Sequence, residues 1–309
     1  MPRLLHTGQV IVDLVMALDT LPATGGDVLA KSASFEAGGG FNVMAAARRN
    51  GMSVVYLGRH GNGRFGDLAR AAMQAEKIEM ALTASSEKDT GLCVSLTEAT
   101  TERTFISHIG AEGELSAEDL ARIVPLADDY VYVSGYSLLL EGKAQPLIDW
   151  LLALPREIVV VFDPGPLVKA QDSVLMRALL ARIDIWTSNG PEALAFTGAL
   201  EIAAALPELS RHLPAQTLLV VRDGPNGCWV GRTGGIEHVP GFKVQAVDSN
   251  GAGDAHAGVF IAGLAQGLKP VEAARRANAA AALAVTRWGP ATCPGAAEVD
   301  ALANEYTPT

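Results

Sequence analysis

The sequence predicts an α/β protein of three layers, with helices on both faces of a mostly parallel β-sheet and a small β-lid above it. Short apolar runs rich in β-branched residues alternate with alanine- and leucine-rich stretches of helical length, which is the pattern of βαβ units. Two regions, roughly 8–36 and 90–110, break that alternation and form the lid. Across 309 residues there is no repeat, low-complexity tract or long Pro/Ser linker, so 1–309 is expected to be one domain with an elaboration.

The elements are expected in the following order. Gln9-Val10-Ile11-Val12 is a strand with Asp13 at its end, and 41–50 is a helix. Strand 54–57 and helix 66–76 follow. Cys93-Val94-Ser95-Leu96 and Arg103-Thr104-Phe105-Ile106 alternate in polarity and pair as a lid hairpin. Beyond the lid come helix 116–124, strand 131–133, helix 143–153, strand 158–162, helices 172–182 and 191–197, and strand 218–221. Gln245-Ala246-Val247 is a short extended segment that leads through a turn into helices 253–266 and 270–286.

Composition narrows the function. A formal net charge of −10 and a pI near 5.1 disfavour a nucleic-acid surface, which needs a basic stripe. Hydrophobic residues make up 49%, but the apolar runs are too short for membrane spans. The N-terminus lacks a signal-peptide pattern because Asp13 and Asp19 interrupt it, so a cytoplasmic location is expected. Cys93, Cys228 and Cys293 are far apart and odd in number, which points to core residues rather than disulfides or zinc ligands. An anionic ligand would have to be held locally, by helix N-termini, backbone amides, a few arginines and a metal ion.

The turn Asp248-Ser249-Asn250-Gly251-Ala252-Gly253-Asp254 offers such a place. Gly251 and Gly253 lack the Cβ atoms that would hold a phosphate away, and the first amides of the following helix, from Asn250 through Ala252 and Gly253, form an anion hole. Asp254 stands at its edge, where it can accept a proton from an attacking hydroxyl. For an isolated Gly-Ala-Gly-Asp, the reading of Asp254 as a cap of the following helix would prevail.

With Ala255-His256-Ala257-Gly258 behind it, this segment resembles the C-terminal signature of the PfkB carbohydrate kinases, the ribokinase-like fold; Ser249 replaces the usual Thr. His256 is expected to be a helix residue with a partner rather than a second base. Ala37-Gly38-Gly39-Gly40-Phe41-Asn42 resembles the family's first signature. The resemblance implies an ATP-dependent phosphotransferase acting on a sugar, ribokinase- or fructokinase-like, or on a nucleoside. It assigns Asp13, Gly38, Gly39, Gly40 and Asn42 to the acceptor. It assigns Asn189 and Glu192 to Mg²⁺ through water, and Arg222, Gly224, Gly227 and Asn278 to the nucleotide, with Gly289-Pro290-Ala291 on the adenine side. It also implies a monovalent cation such as K⁺ near the Asp248 and Asn250 carbonyls. The segment Asp163-Pro164-Gly165-Pro166-Leu167 departs from the family's Asp-Pro-Asn-x-Arg. The missing basic residue disfavours a phosphorylated acceptor, with Arg103 on the lid as a substitute contact. Open lid edges lead to the expectation of a homodimer.

Two other classes compete. Gly61-Asn62-Gly63-Arg64-Phe65-Gly66 has the spacing of a dinucleotide-binding oxidoreductase. However, no clear strand leads into Glu79 or Glu87, and the same residues fit a family turn in which Gly63 replaces Asp. A non-catalytic sugar-binding regulator would be expected to lose Asp254 or the glycines. No P-loop motif is present.

Overall fold

The computed structural model describes residues 2–100, 103–165 and 173–305. The chain order is β1 (Arg3–His6), β2 (Val10–Ala17), β3 (Ser32–Gly39), α1 (Gly40–Arg49), β4 (Ser53–Tyr56), α2 (Arg64–Ala75), β5 (Glu79–Met80), β6 (Leu92–Thr97) and β7 (Arg103–His108). It continues with α3 (Ala117–Leu120), β8 (Tyr130–Ser134), α4 (Glu141–Ala153), β9 (Val159–Asp163), α5 (Val174–Leu180), β10 (Ile185–Asn189), α6 (Gly190–Thr197), α7 (Ile202–His212) and β11 (Leu218–Arg222). β12 (Gly227–Arg232), β13 (Gly235–Pro240), α8 (Ala252–Ala265), α9 (Pro270–Ala284) and α10 (Ala296–Glu305) complete it.

Among the described residues, nine strands form the main sheet in the order β13-β12-β11-β10-β9-β8-β1-β4-β5. It is parallel from β11 to β5 and antiparallel at β12 and β13. Side chains alternate across it with period two. Leu4, Val54 and Val161 point into a core with α1, α8 and α9. Leu5, Val55 and Val160 point into a second core with α4, α5 and α7. Both faces are covered, which is why the central strands read as continuous apolar runs. The strand ends on one side of this sheet carry Asp163, Asn189 and Arg222, the usual ligand side of an open α/β sheet.

The lid is a second sheet in the order β3-β2-β6-β7. β2 is antiparallel to β3 and parallel to β6, and β6 is antiparallel to β7. Asp13 is therefore mid-strand rather than at a strand's end, because the strand runs on to Ala17. Helix 116–124 shrinks to Ala117–Leu120; Pro125 follows closely and disfavours helical backbone at Val124. The expected extended segment 245–247 belongs to no strand. Helix 172–182 is realised as Val174–Leu180, and its residue 172 lies outside the described residues. Sequence patterning missed α7, which carries Pro207 in its interior, together with α10, β10, β12 and β13. All three cysteines are free and buried. No single described helix is long and apolar enough to cross a membrane.

Candidate active site

Asp254 is the third residue of α8 and is half-buried. Its Oδ2 accepts a hydrogen bond of 2.9 Å from Asn42 Nδ2, on the first turn of α1. Burial pushes the Asp254 carboxyl up to about 6; the Asn42 bond and the Arg222 guanidinium oppose this, while Asp163 and Glu192 add to it. Asn42 Oδ1 is buried without a partner among the described residues. Asp13 faces the same space from the lid. Burial, with Asp254 and Glu36 nearby, raises its carboxyl to about 7. A Cβ at Gly38 would lie 2.0 Å from Asp13 Oδ2, so that glycine lets the carboxylate lie across the neighbouring strand. Gly39 closes β3 and Gly40 opens α1, its N–H donating to the Gln9 carbonyl at 2.6 Å.

A second cluster adjoins the first turn of α8. Arg222, at the end of β11, donates from Nη1 to Asp163 Oδ2 (3.2 Å) and to Thr187 Oγ1 (2.9 Å), and lies 3.7 Å from Glu192. Its guanidinium carbon is 3.5 Å from where a Cβ on Gly253 would stand. The first amides of α8 and a guanidinium therefore converge on one surface, which suits an anion. Gly251 has a different reason to be glycine. Its φ is +71°, and a Cβ there would collide with the Pro290 carbonyl at 1.7 Å, so the turn itself requires it. Asn250 donates its N–H to Asp248 Oδ1 at 2.9 Å, and Ala252 begins the helix.

Residues 1–296 match the family model described as pfkB family carbohydrate kinase. The chain belongs to the pfkB family of carbohydrate kinases. It is similar to the uncharacterized sugar kinase YegV of Escherichia coli, at 30% identity over 91% of this chain and 88% of that one. It is also similar to the ribokinase of Haemophilus influenzae, at 28% identity over 91% and 92%. The crystal structure of a Vibrio cholerae fructokinase in its fructose, ADP and calcium ion bound form shares the fold, with a TM-score of 0.83 and 21% identity over 97% and 98% of the two chains.

In this carbohydrate kinase, Asn189 and Glu192 form a reciprocal capping box at the start of α6. Glu192 N–H donates to Asn189 Oδ1 (2.7 Å), and Asn189 N–H donates to Glu192 Oε2 (2.8 Å). Burial above all, with Asp163 beside it, raises the Glu192 carboxyl against the pull of Arg222. Gly224 and Gly227 flank a one-turn connection between β11 and β12 with φ of +52° and +103°, so the expected nucleotide turn is a hairpin turn in form.

Two assignments change. Arg103 does not sit alone in the acceptor space: it donates to Ser249 Oγ (2.7 Å) and pairs with Asp248 Oδ1 (3.0 Å). Asn278 is taken up inside the protein, donating to the Val239 and Pro240 carbonyls and bonding His256 Nε2 through Oδ1, so its amide serves the interior rather than an open nucleotide surface. That bond gives His256 the partner expected of it, and burial lowers its pKa to about 3. The two-residue strand β5 begins at Glu79 rather than leading into it, and the dinucleotide alternative fails. The amides of Gly63, Phe65 and Gly66 at the start of α2 already donate to the Asp89 carboxylate. Burial opposes that charge, but these bonds prevail and hold Asp89 below the usual carboxylate range. Pro166 and Leu167 of the departing segment lie outside the described residues. Sequence patterning gave no role to Asp163 or Thr187; the available signal was an acid directly after the apolar run 158–162.

Proposed function

We propose that this carbohydrate kinase moves the γ-phosphoryl group of MgATP to a hydroxyl of an unphosphorylated sugar, with Asp254 as general base. The supporting observation is the half-buried Asp254 carboxylate, held by Asn42, between the Asp13 side of the lid and the amides and guanidinium at the start of α8. Asp13 and Asn42 hold the acceptor, and Asp254 takes the proton as the new P–O bond forms. The α8 amides and Arg222 stabilise charge on the transferred group, and the lid keeps water out.

The donor set suits a hard cation. No described group of three His, Cys, Asp or Glu residues could hold a metal, whereas Mg²⁺ needs only one or two carboxylates besides water and phosphate, which Glu192 and Asp163 can supply. When bound there, Mg²⁺ neutralises phosphate charge. The proposal extends to a monovalent cation at the Asp248 and Asn250 carbonyls, to 1–309 acting as one domain, and to a homodimer through the lid, read by light scattering.

An ADP-release screen with MgATP over sugars, sugar acids and nucleosides tests the proposal. The expected result is ADP formation that depends on a sugar acceptor. ADP formed at the same rate with and without every acceptor would sink it, and equal rates in K⁺ and in a bulky organic cation would remove the monovalent site.

The raised carboxyls also set a pH dependence. Asp254 must be ionised to act, so kcat/KM falls as pH drops through about 6 to 7, the range of Asp254 and Asp13. Stability runs the other way. Between about 4 and 7 the folded state binds more protons at these two groups than the unfolded chain does, so their contribution to stability declines as pH rises. Initial rates and urea midpoints over pH 5–8 check both signs.

A further inference from the structure

β7 is the outer strand of the lid, and five of its six residues are exposed. Phe105 and Ile106 are 54% and 62% exposed, whereas the Arg103 side chain is 16% exposed. Arg103 is thus the point at which this strand meets the body. Its guanidinium reaches Ser249 Oγ at 2.7 Å and Asp248 Oδ1 at 3.0 Å, across 146 residues of sequence.

Asp248 is a junction. Its Oδ1 also accepts the N–H of Asn250 at 2.9 Å, and its Oδ2 accepts the N–H of Gly289 at 3.1 Å. Behind the turn, Gly251 rests against the Pro290 carbonyl. The segment that ends in Asp254 is therefore braced on one side by 289–290 and on the other by a charge delivered from the lid. The rear brace lies within the body, whereas the Arg103 contact spans lid and body, so a lid that lifted would have to break it.

We infer that Arg103 is a positioning residue: lid closure sets its guanidinium on Asp248 and Ser249, and this fixes the turn that carries the α8 amides and Asp254. This rests on the proposal that nucleotide binds at that turn. Two consequences follow. Phosphate-binding amides and base reach their working arrangement only under a closed lid, which limits transfer to water while the site is open. Nucleotide at the turn must favour the closed lid by the same factor by which closure favours nucleotide.

Hydrogen exchange of the full-length protein, with and without MgADP, tests this without knowledge of the acceptor. In the wild type, MgADP is expected to slow exchange both in peptides spanning 245–256 and in lid peptides spanning 92–108. In Arg103→Ala the protection that MgADP gives the turn is weakened, lid exchange no longer responds to it, and MgADP affinity falls by about 5-fold or more. Arg103→Lys, which keeps the charge, restores part of the lid response, and Ser249→Ala weakens it. A residue that merely stabilised the fold would loosen both regions regardless of nucleotide. Undiminished lid protection in Arg103→Ala overturns the inference. No MgADP protection at the turn in the wild type overturns the nucleotide placement itself, and the coupling with it.

Discussion

Replacing Asp254 by Asn lowers kcat by about 10²-fold or more while MgADP binding survives, the range expected when a positioned general base is lost. The amide oxygen of an asparagine can still accept the bond that Asn42 Nδ2 gives to Asp254 Oδ2, so the geometry of the turn is kept and only proton acceptance is removed. The stability effect has the opposite sign. Burial raises this carboxyl to about 6, so its ionised form at neutral pH opposes folding, and a neutral amide relieves that opposition. Asp254→Asn should therefore melt at or above the wild-type temperature while losing turnover. Single-turnover kinetics and a thermal shift with MgADP read the two effects together. Wild-type turnover would exclude Asp254 as the base.

Arg222→Ala should damage the fold severely. The guanidinium is 12% exposed and lies against Asp163 and Glu192, and its charge also acts on Asp254. Its removal leaves three carboxylates crowded in a poorly solvated space, and breaking such a buried arrangement costs about 3–5 kcal/mol. That is a large fraction of the roughly 5–15 kcal/mol available to a folded domain. Arg222→Lys keeps the charge without the planar pair of contacts and should fall between. Urea denaturation at pH 7 measures the loss, and the Ala variant's acid limb in kcat/KM should move to higher pH, because the guanidinium that favours ionised Asp254 is gone. A midpoint unchanged from wild type would mean that the three acids do not depend on Arg222.

Much of the scaffold was legible because its determinants are local. Runs such as 158–162 and 218–221 are buried on both faces, so their apolar character is continuous and they stand out. The pair Asn189 and Glu192 lies three residues apart, the spacing of a capping box. Elements whose signal is weak locally escaped: α7 contains Pro207, and β12 and β13 gain their strand character only from pairing beside β11. The site was legible as residue types but not as contacts. Asn278 has the chemistry of a ligand-binding residue, yet three neighbours brought to it by folding use its amide.

By itself the sequence determined the layered architecture, the family and the turn that presents Asp254, since these depend on periodicity and on residue types at fixed short spacing. Only the tertiary structure decided which partners those residues meet. Asn42 reaches Asp254 across 212 positions, Arg222 reaches Asp163 across 59, Arg103 reaches Ser249 across 146, and Gly251 is a glycine because Pro290 lies against it. Charge, burial and steric fit act over a few ångströms of space, and separation along the chain carries no record of them.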